Sequence, residues 1–255
     1  MASTNPDPCE LLKWDTDFFG FRIAKVQGDA LTPERARQID AWCRQAAIRC
    51  LYFLGRADDV VTSRAAEDNG FRLVDVRLTF ARKIPIDSEE LKGYTNGSVV
   101  RPICPADMSA LRDVARRSYR DSRFHFDTGF PRHLSDSLYG LWLERSCEGY
   151  AQAVLVAELD GVPMGYITCH IDQEPYRGRI GLVGVNSQVQ GRGTGQTLVF
   201  NALKWFSTQQ VPEAQVVTQG RNCTAQRLYQ RCGFLTQSVQ LWYHKWYPPA
   251  EAVHE

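Results

Sequence analysis

Three things are missing from this 255-residue chain: an excess of charge of one sign, a long apolar run, and a close pair of cysteines. Charged residues make up 23% of it and the net charge is +1, so no polyanionic partner is announced. Nucleic acid and membrane surfaces are therefore not expected partners, although an anionic small molecule needs only a local site. Runs of about 18 or more apolar residues are absent, so nothing reads as spanning a bilayer. The N-terminal "MASTNPDPCELLKWD" has no basic region followed by an apolar stretch, and no secretory leader is expected. The eight cysteines are scattered without a C-x-x-C pair, mostly inside apolar segments where a reduced Cys packs as a small hydrophobe. A cytoplasmic setting and no metal follow as expectations.

What is present is an alternation of strand and helix patterns. The length allows about one to two domains. "FFGFRIAKVQ" (18–27) reads as a strand entered from an aromatic cluster. "TPERARQIDAWCRQAA" (32–47) reads as a helix capped by Thr32 with Pro33 in its first turn. "IRCLYFLG" is a buried-type strand and "DDVVTSRAAEDNG" a short helix ended by Gly70. "FRLVDVRLTFARK" alternates as a strand, and 86–98 reads as a linker. A second set follows: a strand to Ile103, a helix from near Asp107, and a long loop over 120–137 leading into a helix through "LYGLWLERSC". "AVLVAELDGVPMGYITCHID" is a hairpin turning at Asp160-Gly161. After it come "GRIGLVGVNSQ", a glycine-rich stretch, "TLVFNALKWFSTQ", "AQVVTQG", "TAQRLYQRC" and the closing strand "FLTQSVQLWYHKW". The pattern predicts an α/β (α+β) protein with a mixed sheet and helices on its faces. The expected division is 1–95 and 96–255.

The chemistry concentrates in "GLVGVNSQVQGRGTGQTLVF". Its glycines join an apolar strand directly to an amphipathic helix. Gly191, Gly193 and Gly195 let the backbone approach a ligand closely, and amides at the helix start face an anion. That arrangement suits a pyrophosphate. It is neither a P-loop, which would end in Gly-Lys-Ser/Thr, nor G-x-G-x-x-G. Asn222 and Tyr229 in "NCTAQRLYQRCGF" are seven residues apart on one helix face, about 10 Å along the axis at ~1.5 Å per residue. Alone, an N-cap and a half-buried core ring would explain them.

Gln190, Gly193 and Gly195 in the spacing Q-x-x-G-x-G, followed by Asn222, Ala225, Leu228, Tyr229 and Gly233-Phe234, resemble the GNAT N-acetyltransferase superfamily over roughly residues 98–246. The resemblance implies the GNAT fold, with a mostly antiparallel mixed sheet. It also implies acetyl-CoA as cosubstrate and direct transfer of acetyl to an amine. Gln190, Gly191, Arg192, Gly193, Thr194, Gly195 and Gln196 would hold the coenzyme's pyrophosphate. Backbone groups at Val183 and Val185 would hold its pantetheine, with an amide there for the oxyanion. Asn222 would bind pantetheine amides, and Tyr229 would donate a proton to the departing thiolate; a phenol's reference pKa near 10 lies above a thiol's of about 8.5. No carboxylate stands in "VGVNSQVQ", so the amine is expected to arrive neutral or to lose its proton through water.

For the acceptor, "SYRDSRFHFDTGFP" offers Arg120 and Arg123 for phosphate and Phe124 and Phe126 for stacking. "SRFHFD" and "LYGLWLE", with the N-terminal "WDTDFFG", resemble the dTDP-fucosamine acetyltransferase family. That resemblance implies a nucleotide-linked 4-amino-4,6-dideoxyhexose as acceptor, with Ser122, Arg123, Phe124, Asp17 and Phe19 at its site, and leaves room for a homodimer. A peptide or other small-molecule amine, and a non-catalytic acyl-CoA sensor, stay open as alternatives.

One pattern occurs twice. "RAAEDNGFRLVDVRLTFARK" (64–83) parallels "RLYQRCGFLTQSVQLWYHK" (227–245), and aligning Gly70-Phe71 on Gly233-Phe234 puts Ala66 where the later copy has Tyr229. Nothing like "QVQGRGTG" precedes the first copy. Residues 1–95 therefore read as a degenerate half of the same fold, without coenzyme cradle or proton donor.

Overall fold

The computed structural model describes residues 7–85, 91 and 96–249. The chain begins β1 (Cys9–Leu11), α1 (Lys13–Phe19), β2 (Ile23–Val26), α2 (Pro33–Gln45), β3 (Cys50–Arg56), α3 (Val60–Asp68) and β4 (Arg72–Lys83). It continues with β5 (Val99–Pro102), α4 (Met108–Ser118), α5 (Arg123–Phe126), α6 (Arg132–Arg145), β6 (Ala153–Leu159), β7 (Val162–Gln173) and β8 (Tyr176–Val185). It closes with α7 (Thr194–Thr208), β9 (Glu213–Gln219), α8 (Cys223–Arg231) and β10 (Leu235–Trp246).

Most boundaries follow from local chemistry. The Thr32 side chain accepts from the Arg35 amide, with Pro33 opening α2. Asp59 caps α3 by accepting from the Val61 and Thr62 amides. Asp160 and Gly161 both take positive φ, 52° and 78°, as a two-residue hairpin turn demands. Two expectations change. Part of the span 18–27 is helical: α1 runs to Phe19, Trp14 and Phe18 stack one turn apart at 5.1 Å, and Gly20 ends the helix at φ 78°. The aromatic density of this stretch hid a helical spacing. The loop expected over 120–137 contains α5, and α6 starts at Arg132, immediately after Pro131, earlier than the apolar run suggested. The linker expected over 86–98 lies largely outside the described residues.

The residues form two compact units, the first from Met1–Arg77, Arg123–Leu134 and Val239–Glu255, the second from Leu78–Ser122 and Ser135–Ser238. In the first the strand order is β1-β2-β3-β10. There β2 and β3 are parallel, and β10 pairs antiparallel with β3 from Gln240↔Arg56 to Trp246↔Cys50. Its core gathers Ile39, Cys43, Leu51, Phe53, Ala66 and Tyr243. In the second the order is β4-β9-β8-β7-β6-β5. Strands β5 to β8 are successively antiparallel, and β8 and β9 are parallel. Leu198, Ala202, Leu203 and Phe206 of α7 fill that unit's core with Ile167, Ile180 and Phe234. All eight cysteines are free thiols, five of them buried.

Candidate active site

Strand β8 pairs with β9 only from Gly178↔Ala214 to Ile180↔Val216, yet runs on to Val185. Beyond Ile180 its far edge carries backbone groups that no described strand takes up. The Leu182 amide donates to Thr168 Oγ1 at 2.8 Å and the Asn186 amide to the Met164 carbonyl at 2.8 Å, so the even positions face β7. By alternation, Val183 and Val185 turn their N–H and C=O groups toward the opposite, open edge. Gln190 reaches back to the same edge, its Nε2 donating to the Val185 carbonyl at 3.0 Å.

The glycine-rich loop follows. Gly191 and Gly193 adopt φ 76° and 87°, conformations that favour glycine, and Gly193 is the N-cap from which α7 starts at Thr194. The first-turn amides of Thr194, Gly195 and Gln196 have no partner within a helix and point outward from its positive end, the geometry an anion requires. A Cβ on Gly195 would stand 3.2 Å from the Leu228 side chain of α8, a tight contact. Arg192 is exposed in the loop. Asn96, which the sequence did not single out, straps this turn. Its Nδ2 donates to the Arg192 carbonyl and to Thr194 Oγ1, both at 3.0 Å, and its Oδ1 accepts from Thr197 Oγ1 at 3.1 Å.

Helix α8 brings Asn222 and Tyr229 into the same unit. Asn222 caps the helix, its Oδ1 accepting from the Ala225 amide at 3.0 Å, so its side-chain NH2 is not used in the cap. Tyr229 is 5% exposed, against Phe80 and Phe234 with ring centroids about 6 Å away (6.2 and 6.1 Å). Burial pushes its phenol well above the ordinary value, so at neutral pH it stays protonated. Among the described residues no cluster of three or more His, Cys, Asp or Glu could hold a metal ion.

The residues expected at the acceptor divide. Phe19 and Phe124 are buried and stacked at 5.5 Å, and the Arg123 guanidinium lies over the rings of Tyr52, Phe124 and Trp242 at 4.1, 4.2 and 4.4 Å. Arg123 Nη1 donates to His244 Nε2 at 2.6 Å; since arginine cannot accept, the imidazole proton sits on Nδ1, which donates to Asp127 Oδ2 at 2.6 Å. Trp246 Nε1 also donates to that oxygen, at 2.9 Å. Burial pushes His244 down to about 4, keeping it neutral. Burial is the largest single influence on Asp127 and works against its ionisation, but the hydrogen bonds from His244, the Gly129 amide and Trp246 together outweigh it and hold the carboxyl below its ordinary value. Asp17 is not in this cluster: it is exposed and ion-paired with Lys13 at 2.7 Å. Its neighbour Asp15 is, with Oδ1 3.4 Å from the Tyr52 hydroxyl; burial raises its carboxyl while Arg123 draws it back. Helical spacing in "WDTDFF" was the signal that separates the two aspartates. Ser122 is buried, its amide donating to the Tyr119 carbonyl.

Residues 110–234 match the acetyltransferase (GNAT) family. The chain therefore carries a GNAT acetyltransferase domain and is an acetyl-transferring enzyme. It is 27% identical to the dTDP-fucosamine acetyltransferase of Escherichia coli O6:H1 over 92% of this chain and 97% of that protein. It is 29% identical to the spore coat polysaccharide biosynthesis protein SpsD of Bacillus subtilis, over 58% of this chain but only 50% of SpsD. Among solved structures it resembles a GCN5-related N-acetyltransferase from Sphaerobacter thermophilus, with TM-score 0.64, 18% identity and coverage of 96% and 78%. A tandem GNAT protein from the clavulanic acid biosynthesis pathway gives TM-score 0.60 at 14% identity, covering 90% of this chain and 76% of that one.

Proposed function

We propose that the enzyme moves acetyl from acetyl-CoA to the amino group of a nucleotide-linked aminosugar of the dTDP-4-amino-4,6-dideoxyhexose type. The donor half rests on one observation: a strand edge left open from Leu182 to Val185 lies in the same unit as a glycine-rich helix start and a buried phenol. The pantetheine extends along Val183 and Val185, and the pyrophosphate sits against the amides of 191–196. The neutral amine attacks the thioester carbonyl, and the oxyanion is met by a backbone N–H of the open edge. As the C–S bond breaks, Tyr229 gives its proton to the thiolate, while the proton that the attacking nitrogen sheds leaves through water, which reprotonates Tyr229. The acceptor half is supported by similarity to a dTDP-fucosamine acetyltransferase along nearly that protein's whole length. Similarity to mycothiol acetyltransferases, 36% over 88 residues in the Mycobacterium avium protein, spans only 32% of the chain and says nothing about the sugar.

Residues 1–95 we read as a degenerate half of the same fold. In both copies a helix ends in an αL glycine, Gly70 at φ 74° and Gly233 at φ 77°, before a 12-residue strand. The next amide in each returns to the helix at 3.0 Å, Phe71 to Ala66 and Phe234 to Tyr229. The order β2-α2-β3-α3-β4 matches β8-α7-β9-α8-β10, and each ending strand neighbours the other half's parallel pair: β10 beside β3, β4 beside β9.

The deciding experiment is a thiol-release assay with acetyl-CoA against a panel of dTDP- and UDP-linked aminosugars. Turnover on a dTDP-4-amino sugar is expected. Acetylation of a peptide or free amine, with every nucleotide sugar inert, overturns the acceptor assignment.

A further inference from the structure

Strand β7 carries a row of polar residues on one face, Tyr166, Thr168 and His170, all buried. Opposite them β8 has Gly181 and Gly184, and neither can bear a side chain. A Cβ on Gly184 would meet the Tyr166 ring at 2.5 Å, and one on Gly181 would meet His170 Nε2 at 2.5 Å and Thr168 Oγ1 at 2.7 Å. The glycines of "GLVGV" therefore make room for side chains of the neighbouring strand.

The pairing breaks at this point. Ile167 pairs with Val183 and Cys169 with Ile180, so the single residue Thr168 faces two residues of β8, Gly181 and Leu182. That is a β-bulge, and a bulge inverts the alternation of everything after it. Gly178 and Ile180 face α7, where a Cβ on Gly178 would strike Phe206. After the bulge it is Val183 and Val185 that pack toward this core, while Gly184 turns to Tyr166. Without the extra residue, the N–H groups of 182 and 184 would occupy the open edge in place of those of 183 and 185.

The bulge is held by side chains. Thr168 Oγ1 accepts from the Leu182 amide at 2.8 Å and sits 3.2 Å from His170 Nε2. His170 Nδ1 lies 3.1 Å from the Tyr150 carbonyl, which can only accept. The imidazole proton is therefore on Nδ1, and Nε2 accepts from the Thr168 hydroxyl. Every donor hydrogen of this buried chain has one acceptor: Leu182 N–H to Thr168, Thr168 O–H to His170, His170 N–H to Tyr150.

We propose that Thr168, oriented by His170, is a positioning residue for acetyl transfer: it locks the β8 bulge and thereby sets which backbone amides face the thioester. This rests on the reading of the Val183–Val185 edge as the thioester site. The lock makes no contact with the ligand, so its effect falls on the transition state, where oxyanion geometry matters, more than on coenzyme binding, which is spread over the loop and α7.

The test compares wild type with Thr168→Val, Thr168→Ser and His170→Gln, reading three quantities. The first is exchange of the Leu182 amide without any ligand. The second is acetyl-CoA affinity by calorimetry. The third is kcat with whichever amine the panel returns, or the acetyl-CoA hydrolysis rate if it returns none. Thr168→Val is expected to speed Leu182 exchange and lower kcat, each by roughly tenfold or more, with affinity within about threefold. Thr168→Ser, which keeps the hydroxyl, should stay within about twofold of wild type, and His170→Gln should fall between the two. Wild-type kcat in Thr168→Val, or an equal loss in Thr168→Ser, overturns the proposal. Should Thr168→Val fail to fold, wild-type kcat in His170→Gln overturns it instead. A wild-type enzyme inert toward every nucleotide sugar, with the exchange and hydrolysis effects intact, sinks the acceptor assignment and leaves the lock standing.

Discussion

At the residue scale, burial holds three side chains, Tyr229, His170 and His244, in their uncharged forms. Burial keeps Tyr229 a phenol, the protonated form a leaving thiolate needs. Tyr229→Phe keeps the ring between Phe80 and Phe234 and removes only the donor. We expect kcat to fall by about 10²-fold or more with acetyl-CoA binding retained, measured by steady-state turnover beside calorimetry; equal turnover removes Tyr229 from the mechanism. His170 and His244 are kept neutral by the same cause. Burial comes first in both, pushing each down to about 4 from an ordinary 6.5. Around His170 the Arg179 charge adds to this while the Tyr150 carbonyl and Asp172 oppose it; around His244, Arg123 adds and Asp127 opposes. Between pH 6.5 and 4 the unfolded chain binds protons that the folded one refuses, so stability falls as pH drops through this window and levels off below it. The loss is of order 3 kcal/mol per histidine at most. Asp127, held low, adds its own loss only below the ordinary carboxylate range of about 3.9. Thermal melts should show a falling Tm between pH 6.5 and 4, with a shallower slope in His244→Gln; equal slopes would exclude His244 as the source.

At the element scale, what the chain announces locally differs from what it conceals. The Thr32 cap, the Asp160-Gly161 turn and the glycine-rich opening of α7 are each written in two to six consecutive residues, and each appears where it was expected. The β8 bulge leaves no such trace, because an extra residue in a strand alters phase and not composition. Arg123 and His244 are 121 residues apart and Asp127 and His244 117, so no window of sequence contains the relay. Asn96 belongs to the same class: three of its bonds reach residues about a hundred positions away. These bonds hold the Arg192 carbonyl and the start of α7 in one geometry, so the fold itself orders the loop's amides. Asn96→Ala should weaken acetyl-CoA binding by roughly three- to tenfold, the worth of about one hydrogen bond, while kcat at saturation changes little. Unchanged affinity by calorimetry would show that the loop is preorganised without it.

At the scale of the whole molecule, a boundary near residue 95 does not coincide with the two compact units. The first unit draws on Arg123–Leu134 and on the chain from Val239 onward. The reason lies in β10, whose residues from Gln240 to Trp246 form a seven-residue antiparallel ladder with β3. Tyr243, 1% exposed, packs at 6.0 Å against Phe53 of β3, and fully buried His244 stacks on Tyr52 at 4.8 Å. Phe124 and Phe130 likewise meet Phe19, at 5.5 and 4.7 Å. A fragment of residues 96–255 would hold the whole coenzyme motif set yet lose β3 from beside β10 and β4 from beside β9, and leave this aromatic layer in water. It should therefore lack a cooperative melt, bind a hydrophobic dye and aggregate at micromolar concentration. Co-expression with residues 1–95 should restore a soluble, cooperatively melting complex, because the missing ladder partner β3 lies within that piece. If the fragment alone melts cooperatively and turns over at the wild-type rate, the N-terminal half is an appendage. If only the pair does so, the catalytically silent copy of the pattern is retained because it supplies β10 with its ladder partner.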